Sequence, residues 1–430
     1  MTRRLVIAAV TGCLLLSVTG CPAPEDRSAE RTTPPPSAAD ALPGRPTDVT
    51  TDLPSYGGPP SDAPPSSGPL TTLTAAVDLS PAAPEPTAPA QYAVGAPDGG
   101  AYVLLGPGPH SLPRLATVGA TTDGVAVTGW VPIPDVVRAT GLHLLPSGAV
   151  VVSSELTADD GGGLGFQVVD PVEGVLRTTI VHPFPESTRS ITSASALSPD
   201  GGTLYLFSSP ELEDFDAPAD IPVERLFAVD VDSGAVLAER DLTDDVASVS
   251  LGSAAQGLAA LVARPAGGVT LIFQAWPVEQ DRRSIPTLVS FDSDLEPTSE
   301  PVRVAAHAED AETYVVSTGF DGTIFLLAEV TDDVWITAVP DGGGAGPILV
   351  QLTSWFFREA LFVEPAERWA LLPAYEGAVA VDLTTGELGE RVDLGCLPDR
   401  RVRAMSPGTD GAILLGECDP ETPMLWFLGP

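Results

Sequence analysis

The stretch "SALSPDGGTLYLFSS", Ser195 to Ser209, decides the fold. A short strand runs into Ser198, Pro199, Asp200, Gly201 and Gly202, residue types that accept the backbone angles of a tight reversal. A second strand follows, rich in the Leu, Tyr and Phe that suit a pleated, buried surface. The phrase recurs as "AVGAPDGGAYVLLG" near Asp98, "LHLLPSGAVVVSS" near Gly148 and "SLGSAAQGLAALVA" near Gly257. It returns as "VSTGFDGTIFLLAE" near Asp321, "LFVEPAERWALLPA" near Glu367 and "RAMSPGTDGAILLGE" near Asp410. Seven copies of one strand-turn-strand unit imply a repeat architecture.

A second phrase follows several copies: "FQVVDPVEGVLRTTI", "LFAVDVDSGAVLAER" and "VAVDLTTGELGERVD". Asp170, Asp230 and Asp382 each stand four residues before a glycine: Gly174, Gly234 and Gly386. The carboxylate can accept hydrogen bonds from the turn backbone while the glycine takes a positive φ, which closes a hairpin between third and fourth strands. Weaker versions stand at Asp123-Gly124, Asp292 and Asp341. Four strands in roughly 45 to 65 residues is the spacing of a propeller blade.

On these phrases, and "SPDGGTLYLFS" above all, residues 70–430 resemble the seven-bladed β-propellers of the WD40 and YVTN type. The Gly-His and Trp-Asp dipeptides of strict WD40 repeats are absent, so the partner logic of that family does not carry over. The resemblance implies an all-β ring. It also implies two possible uses: a rigid binding platform, or an enzyme of lactonase-like or quinone-dependent type with its site at the central channel.

Ring closure is a separate expectation. In "TLTAAVDL", Thr72 to Leu79, residues Leu73, Ala75, Val77 and Leu79 share one face and Thr72, Thr74, Ala76 and Asp78 the other, the pattern of a half-buried edge strand. The last unit ends at "PMLWFLGP" without an outer strand. The N-terminal strand is therefore predicted to complete the seventh blade and remove an open seam.

Ahead of the ring, Arg3 and Arg4 precede an apolar run from Leu5 to about Val18, too short to cross a bilayer and laid out as a secretory signal. Val18-Thr19-Gly20-Cys21 resembles the bacterial lipobox, which implies cleavage before Cys21 and a lipid on its sulfur. Residues 1–20 are read as a lipoprotein signal peptide and 21–69 as a proline-rich tether too poor in large apolar residues to fold. As a flexible coil the tether spans about 40 Å. The expected place is the outer side of a bacterial cell membrane, with the lipid on Cys21 as the membrane contact and the protein a monomer.

The formal charge is −37, and the basic residues are all arginine, since the chain contains no lysine and no asparagine. That removes Schiff-base and P-loop lysine chemistry. Seven of the 58 acids and five of the 21 arginines precede residue 70, so the ring carries nearly all of the negative charge. Such a surface argues against nucleic acid as a partner. Solubility or adaptation to salt explains it, with an acidic recognition face as the alternative.

Once Cys13 leaves with the signal and Cys21 takes lipid, only Cys396 and Cys418 remain. An isolated pair outside the cytoplasm is expected to form a disulfide; two buried thiols and a metal pair are the alternatives. His110, His143, His182 and His307 are assigned to different blades, without paired ligand spacing. "DGGGLGFQ" and "DGGGAGP" lack the spacing and the following helix of a dinucleotide loop, and are read as flexible turns. Asp214, Asp216 and Asp220 lack the glycine and closing glutamate of a calcium loop. "SWFF" at 354–357 reads as blade core ahead of an aromatic patch, and "PDRRVRAMS" at 398–406 is a local basic spot. The longer loops between Ser208 and Arg225 and in "AWPVEQDRRSIP" are where recognition is expected. The expected function is binding of a protein or envelope component without catalysis, and no cofactor or metal is implied.

Overall fold

The computed structural model describes residues 68–430 apart from 86–87, 108–110, 159–160, 185–187, 213–223, 243–257, 276–284, 305–310, 320, 331–332, 342–347, 354–359, 375–376, 396–401, 410 and 419–421. Every regular element among the described residues is a strand, and they form seven four-stranded antiparallel sheets. The strand β1 (Thr72–Asp78) stands alone at the start. Blade one is β2 (Ala90–Gly95), β3 (Ala101–Leu105), β4 (Arg114–Thr121) and β5 (Gly124–Pro132). Blade two is β6 (Val136–Leu144), β7 (Val150–Ala158), β8 (Gly161–Asp170) and β9 (Gly174–Pro183). Blade three is β10 (Thr188–Leu197), β11 (Thr203–Leu212), β12 (Arg225–Asp230) and β13 (Val236–Asp241). Blade four is β14 (Leu258–Ala263), β15 (Val269–Ala275), β16 (Ile285–Phe291) and β17 (Val302–Arg303). Blade five is β18 (Ala311–Thr318), β19 (Ile324–Val330), β20 (Asp333–Val339) and β21 (Ile348–Thr353). Blade six is β22 (Phe362–Val363), β23 (Trp369–Ala374), β24 (Gly377–Asp382) and β25 (Leu388–Asp393). Blade seven is β26 (Val402–Gly408), β27 (Gly411–Cys418), β28 (Thr422–Gly429) and, outermost, β1.

The first strands of successive blades touch in turn, β2 to β6 and onward to β26, and β26 returns to β2. The ring is closed. As the alternation of "TLTAAVDL" predicts, β1 pairs antiparallel with β28 from Thr72 opposite Gly429 to Asp78 opposite Met424. Thr72 Oγ1 donates to the carbonyl of Pro430 at 3.0 Å and the Leu79 N–H to that of Pro423 at 2.9 Å. The first and last strands among the described residues thus lie in one sheet, which closes the seam of blade seven.

Buried apolar residues fall into seven clusters, one between each pair of neighbouring blades. Strand β11 shows why its sequence is apolar on both faces: Leu204 and Leu206 enter the cluster shared with blade two, Tyr205 and Phe207 the one shared with blade four. Arginines add polar fastenings across the same boundaries. Arg177 on β9 donates to the carbonyls of Val231 and Asp232, Arg240 on β13 to that of Leu295 at 3.1 Å, and Arg264 meets Asp341 at 2.8 Å.

The two turn phrases form as their residues dictate. Asp170 Oδ1 accepts from the N–H groups of Val172 (2.7 Å) and Glu173 (2.8 Å), with Gly174 at φ 95°. Asp230 and Asp382 repeat the arrangement around Gly234 and Gly386. One phase is corrected. The fourth copy's hairpin turn is Arg264–Gly268, after the first strand Leu258–Ala263, rather than at Gly257, which lies outside the described residues. Gly267 and Gly268 sit at φ 91° and 89°, and a Cβ on Gly268 would lie 2.1 Å from the Phe291 carbonyl oxygen. That backbone demand, rather than small residues alone, marks the true turn. "DGGGLGFQ" is corrected as well: Gly161 to Gln167 belong to β8. A Cβ on Gly165 would sit 2.1 Å from the Thr179 carbonyl oxygen, so its glycine serves close strand packing rather than a flexible turn.

Candidate functional site

Within each blade the first and third hairpin turns lie at one end of the ring, the turn face, because neighbouring strands run antiparallel. Seven first strands converge there on the axis. In six blades the first turn closes with the same bond, from the N–H of Gly99, Gly148, Gly201, Gly267, Gly322 or Glu367 to the carbonyl three residues earlier. Each donor has a positive φ, and at Glu367 (φ 55°) a non-glycine residue holds it. The side chain of Glu367, 0 % exposed, crosses to blade five and accepts from the Asp321 N–H at 3.2 Å. This bond fastens blades five and six where β22, the first strand of blade six, is only two residues long.

An axial cavity of about 670 Å³ opens among these turns and is walled by six blades. Pro199, Pro265, Pro365 and Pro407 form a rigid collar, and Leu261, Val316, Phe362 and Met405 are among the apolar walls. Of the described residues lining it, none carries a formal charge at neutral pH. The contrast with a chain of net charge −37 is local and sharp.

Its polar floor lies between blades two and three. Ser195 Oγ on β10 stands 2.8 Å from His143 Nε2 on β6 and 2.5 Å from Ser153 Oγ on β7. Gly141 makes room for the group: a Cβ there would sit 2.2 Å from Ser195 Oγ and 2.8 Å from His143 Nε2. Burial pushes the His143 imidazole down to about 4, so the ring is neutral at physiological pH. Nearby, the hydroxyls of Thr140, Ser154, Ser193 and Ser208 lack protein partners, as does Ser406 in the cavity wall. Buried hydroxyls in that condition call for water or a ligand group.

A Ser-His pair at hydrogen-bond distance is the geometry of an activated nucleophile. The environment opposes that chemistry. No described carboxylate acts on His143 to stabilise an imidazolium, and a base held near 4 takes a serine proton poorly. The arrangement instead offers neutral donors and acceptors at the bottom of an apolar cup.

Other sequence-predicted residues do not join this site. His182 belongs to the same blade as His143, not to another, but stands on the outer strand β9, where it packs edge-on to Phe184 with ring centroids 6.1 Å apart. His110 and His307 lie outside the described residues, as do Asp214, Asp216 and Asp220, the "SWFF" segment, residues 342–347 of "DGGGAGP" and Cys21. Among the described residues no group of three or more metal-ligating side chains occurs. Arg403 of the basic spot pairs with Glu417 at 2.9 Å. Cys418 ends β27 and is disulfide-bonded, while Cys396, its expected partner, lies outside the described residues. The long connections of blades three and four leave from the end opposite the cavity, after Leu212 and Ala275. Sequence reading missed the His143-Ser195 pairing, which a separation of 52 residues conceals. Three of the collar prolines, Pro199, Pro365 and Pro407, stand inside the quoted turn phrases, whereas Pro265 lies just beyond the fourth and the fifth has none.

No protein-family model matches the chain, and no curated protein sequence matches it. Solved structures do, in 528 chains. One is puromycin hydrolase, with TM-score 0.54 and 17% identity over 84% of this chain and 55% of that one. This chain therefore spans about half the length of that hydrolase, and the likeness is one of fold. Hydrazine synthase of Kuenenia stuttgartiensis matches at TM-score 0.39 and 14% identity, over 69% of this chain and 97% of that one.

Proposed function

We propose that this protein is a lipid-tethered, extracytoplasmic binding propeller that recognises an envelope component at the mouth of its axial cavity and performs no catalysis there. The observation that carries the reading is the cavity wall: side chains from six blades meet without one charged group among those described. Catalysis of acyl or hydride transfer needs a tuned acid, base or metal, whereas selective binding needs an apolar cup with a few placed polar groups. The signal-like start, Cys21 and the tether supply the anchor in this reading.

The rival, a channel hydrolase, has the His143-Ser195 contact on its side. One experiment separates the two. The full-length protein, expressed in a bacterium that lipidates it, is treated with a fluorophosphonate probe and digested for mass spectrometry. The expectation is an unmodified Ser195; its stoichiometric labelling, lost in His143→Ala, refutes the non-catalytic reading. In the same cells Cys21→Ala is expected to shed the protein from the membrane fraction, and full retention of the variant refutes the anchor.

A further inference from the structure

We propose that the axial cavity is a site for an uncharged amphipathic small molecule, its apolar body held by the collar of Pro199, Pro265, Pro365 and Pro407 and its polar end turned to the Ser195-His143 pair. The proposal rests on the binding reading above and adds the class of ligand.

Size comes first. A cavity of about 670 Å³ falls within the range that encloses most of a drug-sized molecule, and it is far too small for a folded domain. Shape follows from the collar, since proline rings do not change rotamer freely and present flat CH surfaces to whatever lies between them. The walls behind the collar are largely aliphatic, so the body of the ligand gains by leaving water.

Charge is decided by what the wall lacks. An anion has to approach through the field of a body with net charge −37 and then finds no cationic side chain among the described lining residues. A cation is drawn toward the body but meets no free carboxylate at the wall. Acids adjoining lining residues in sequence are already engaged: Asp200 accepts from Ser198 Oγ at 2.6 Å, Asp321 from the Thr323 N–H at 2.8 Å and Glu364 from the Trp369 N–H at 3.2 Å. An ion of either sign loses its hydration without compensation in such a place. A wholly apolar ligand fares badly for a different reason, because it would strip water from the polar edge of the Ser195-His143 pair. The molecule that satisfies the site has an apolar body and at least one neutral oxygen or nitrogen.

Nile red, uncharged and aromatic with a carbonyl acceptor, is the test probe, and 1-anilinonaphthalene-8-sulfonate, similar in apolar bulk but anionic, is its counterpart. Both are titrated by fluorescence into the full-length chain carrying Cys21→Ala, so that no acyl chain or detergent binds dye. Thr318→Trp fills the mouth from an exposed position that lines the cavity, and only binding removed by this variant is assigned to the site. Thermal unfolding confirms that the variant folds. The expected result is one Nile red per chain, weakened roughly tenfold or more by Thr318→Trp and several-fold by Ser195→Ala, with the sulfonate at least roughly tenfold weaker than Nile red at that site. Equal sulfonate binding there overturns the neutral class and leaves the binding reading intact. Dye binding indifferent to Thr318→Trp, or no binding, overturns the site. Fluorophosphonate labelling of Ser195 alongside Nile red binding would instead fault the non-catalytic reading alone.

Discussion

The two ends of this ring are built by different rules. On the turn face, six of seven first turns repeat one hydrogen bond and one left-handed residue. On the opposite face the connection between second and third strands runs from two residues in blade two, between Ala158 and Gly161, to twelve in blade three, between Leu212 and Arg225. The turn face lies where seven first strands crowd the axis, so any enlargement of one turn displaces its neighbours. The second-to-third connection stands one strand farther from the axis, where added length displaces less. Invariance therefore falls where the cavity is, and variation falls where the molecule can absorb it.

The comparison holds only if the ring keeps the turn face fixed, which makes the closing strand the largest effect to seek. Deleting residues 70–80 removes Leu70, Val77 and Leu79, none more than 3% exposed, and unpairs the edge of β28. At about 1.5 to 3 kcal/mol for each side chain, with an open edge besides, the loss rivals the stability of an ordinary domain. Calorimetry is expected to show no cooperative transition for the deletion; an unchanged melting profile would dissolve the idea of closure. Next in size is the proposed Cys396-Cys418 bridge, whose loop of 22 residues would correspond to roughly 3 kcal/mol. Thiol titration of the unreduced, denatured chain with Cys13 and Cys21 replaced is expected to find no free thiol, and two would refute the pairing.

Comparable in size but confined to the cavity floor is the pH response of His143. Its folded value, about 4, lies below the ordinary 6.5, so the unfolded chain takes up a proton first as pH falls. The stability held by the neutral ring is intact above about 6.5 and is lost progressively down to about 4, to an extent of roughly 3 kcal/mol. Asp170, Asp200, Asp230 and Asp382 are held below their ordinary 3.8, chiefly by turn N–H groups and the hydroxyls of Ser198, Ser233 and Thr384, and act only at more acid pH. Stability from urea unfolding is therefore expected to fall from pH 7 to 4 in the wild type and to fall less steeply in His143→Gln, where His182, also held below its ordinary value by burial, keeps part of the dependence; equal slopes would remove His143 from the floor. Smaller again is Gly141→Ala, expected to cost about 1 to 3 kcal/mol by overpacking, since its Cβ would sit 2.2 Å from Ser195 Oγ.

The turn face was the legible half. A tight turn writes itself into adjacent residues, so Pro199-Asp200-Gly201 and Asp170 with Gly174 could be read directly, and so could β1, whose alternation is local. Blade four was misphased because Gly257 offers a turn-like residue ten positions before the first glycine of the true turn with a positive φ, Gly267. The cavity floor was hidden for a different reason. Gly141, His143, Ser153 and Ser195 make sense only after two blades are laid side by side, and nothing in their own neighbourhoods singles them out. Hydrogen bonds within a turn leave a sequence signature, whereas contacts between blades depend on a register that the ring imposes.

The smallest expected effect bears most directly on the difference between the faces. Replacing residues 213–223 by Gly-Gly-Ser-Gly keeps Leu212 and Glu224, so the contact from Ser209 Oγ to Glu224 at 3.1 Å survives. Loop-closure entropy changes slowly with length, so a segment that only spans the gap between β11 and β12 alters stability by less than about 1 kcal/mol. Cavity-specific Nile red binding is expected to stay within about twofold of wild type, since a change of that size is under about 0.5 kcal/mol and the exchanged segment joins strand ends opposite the cavity. A loss of several kcal/mol, or of the dye, would mean that the two faces are coupled through blade three. The cavity would then have to be treated as the end of a longer device running along that blade, with β11 as its shaft.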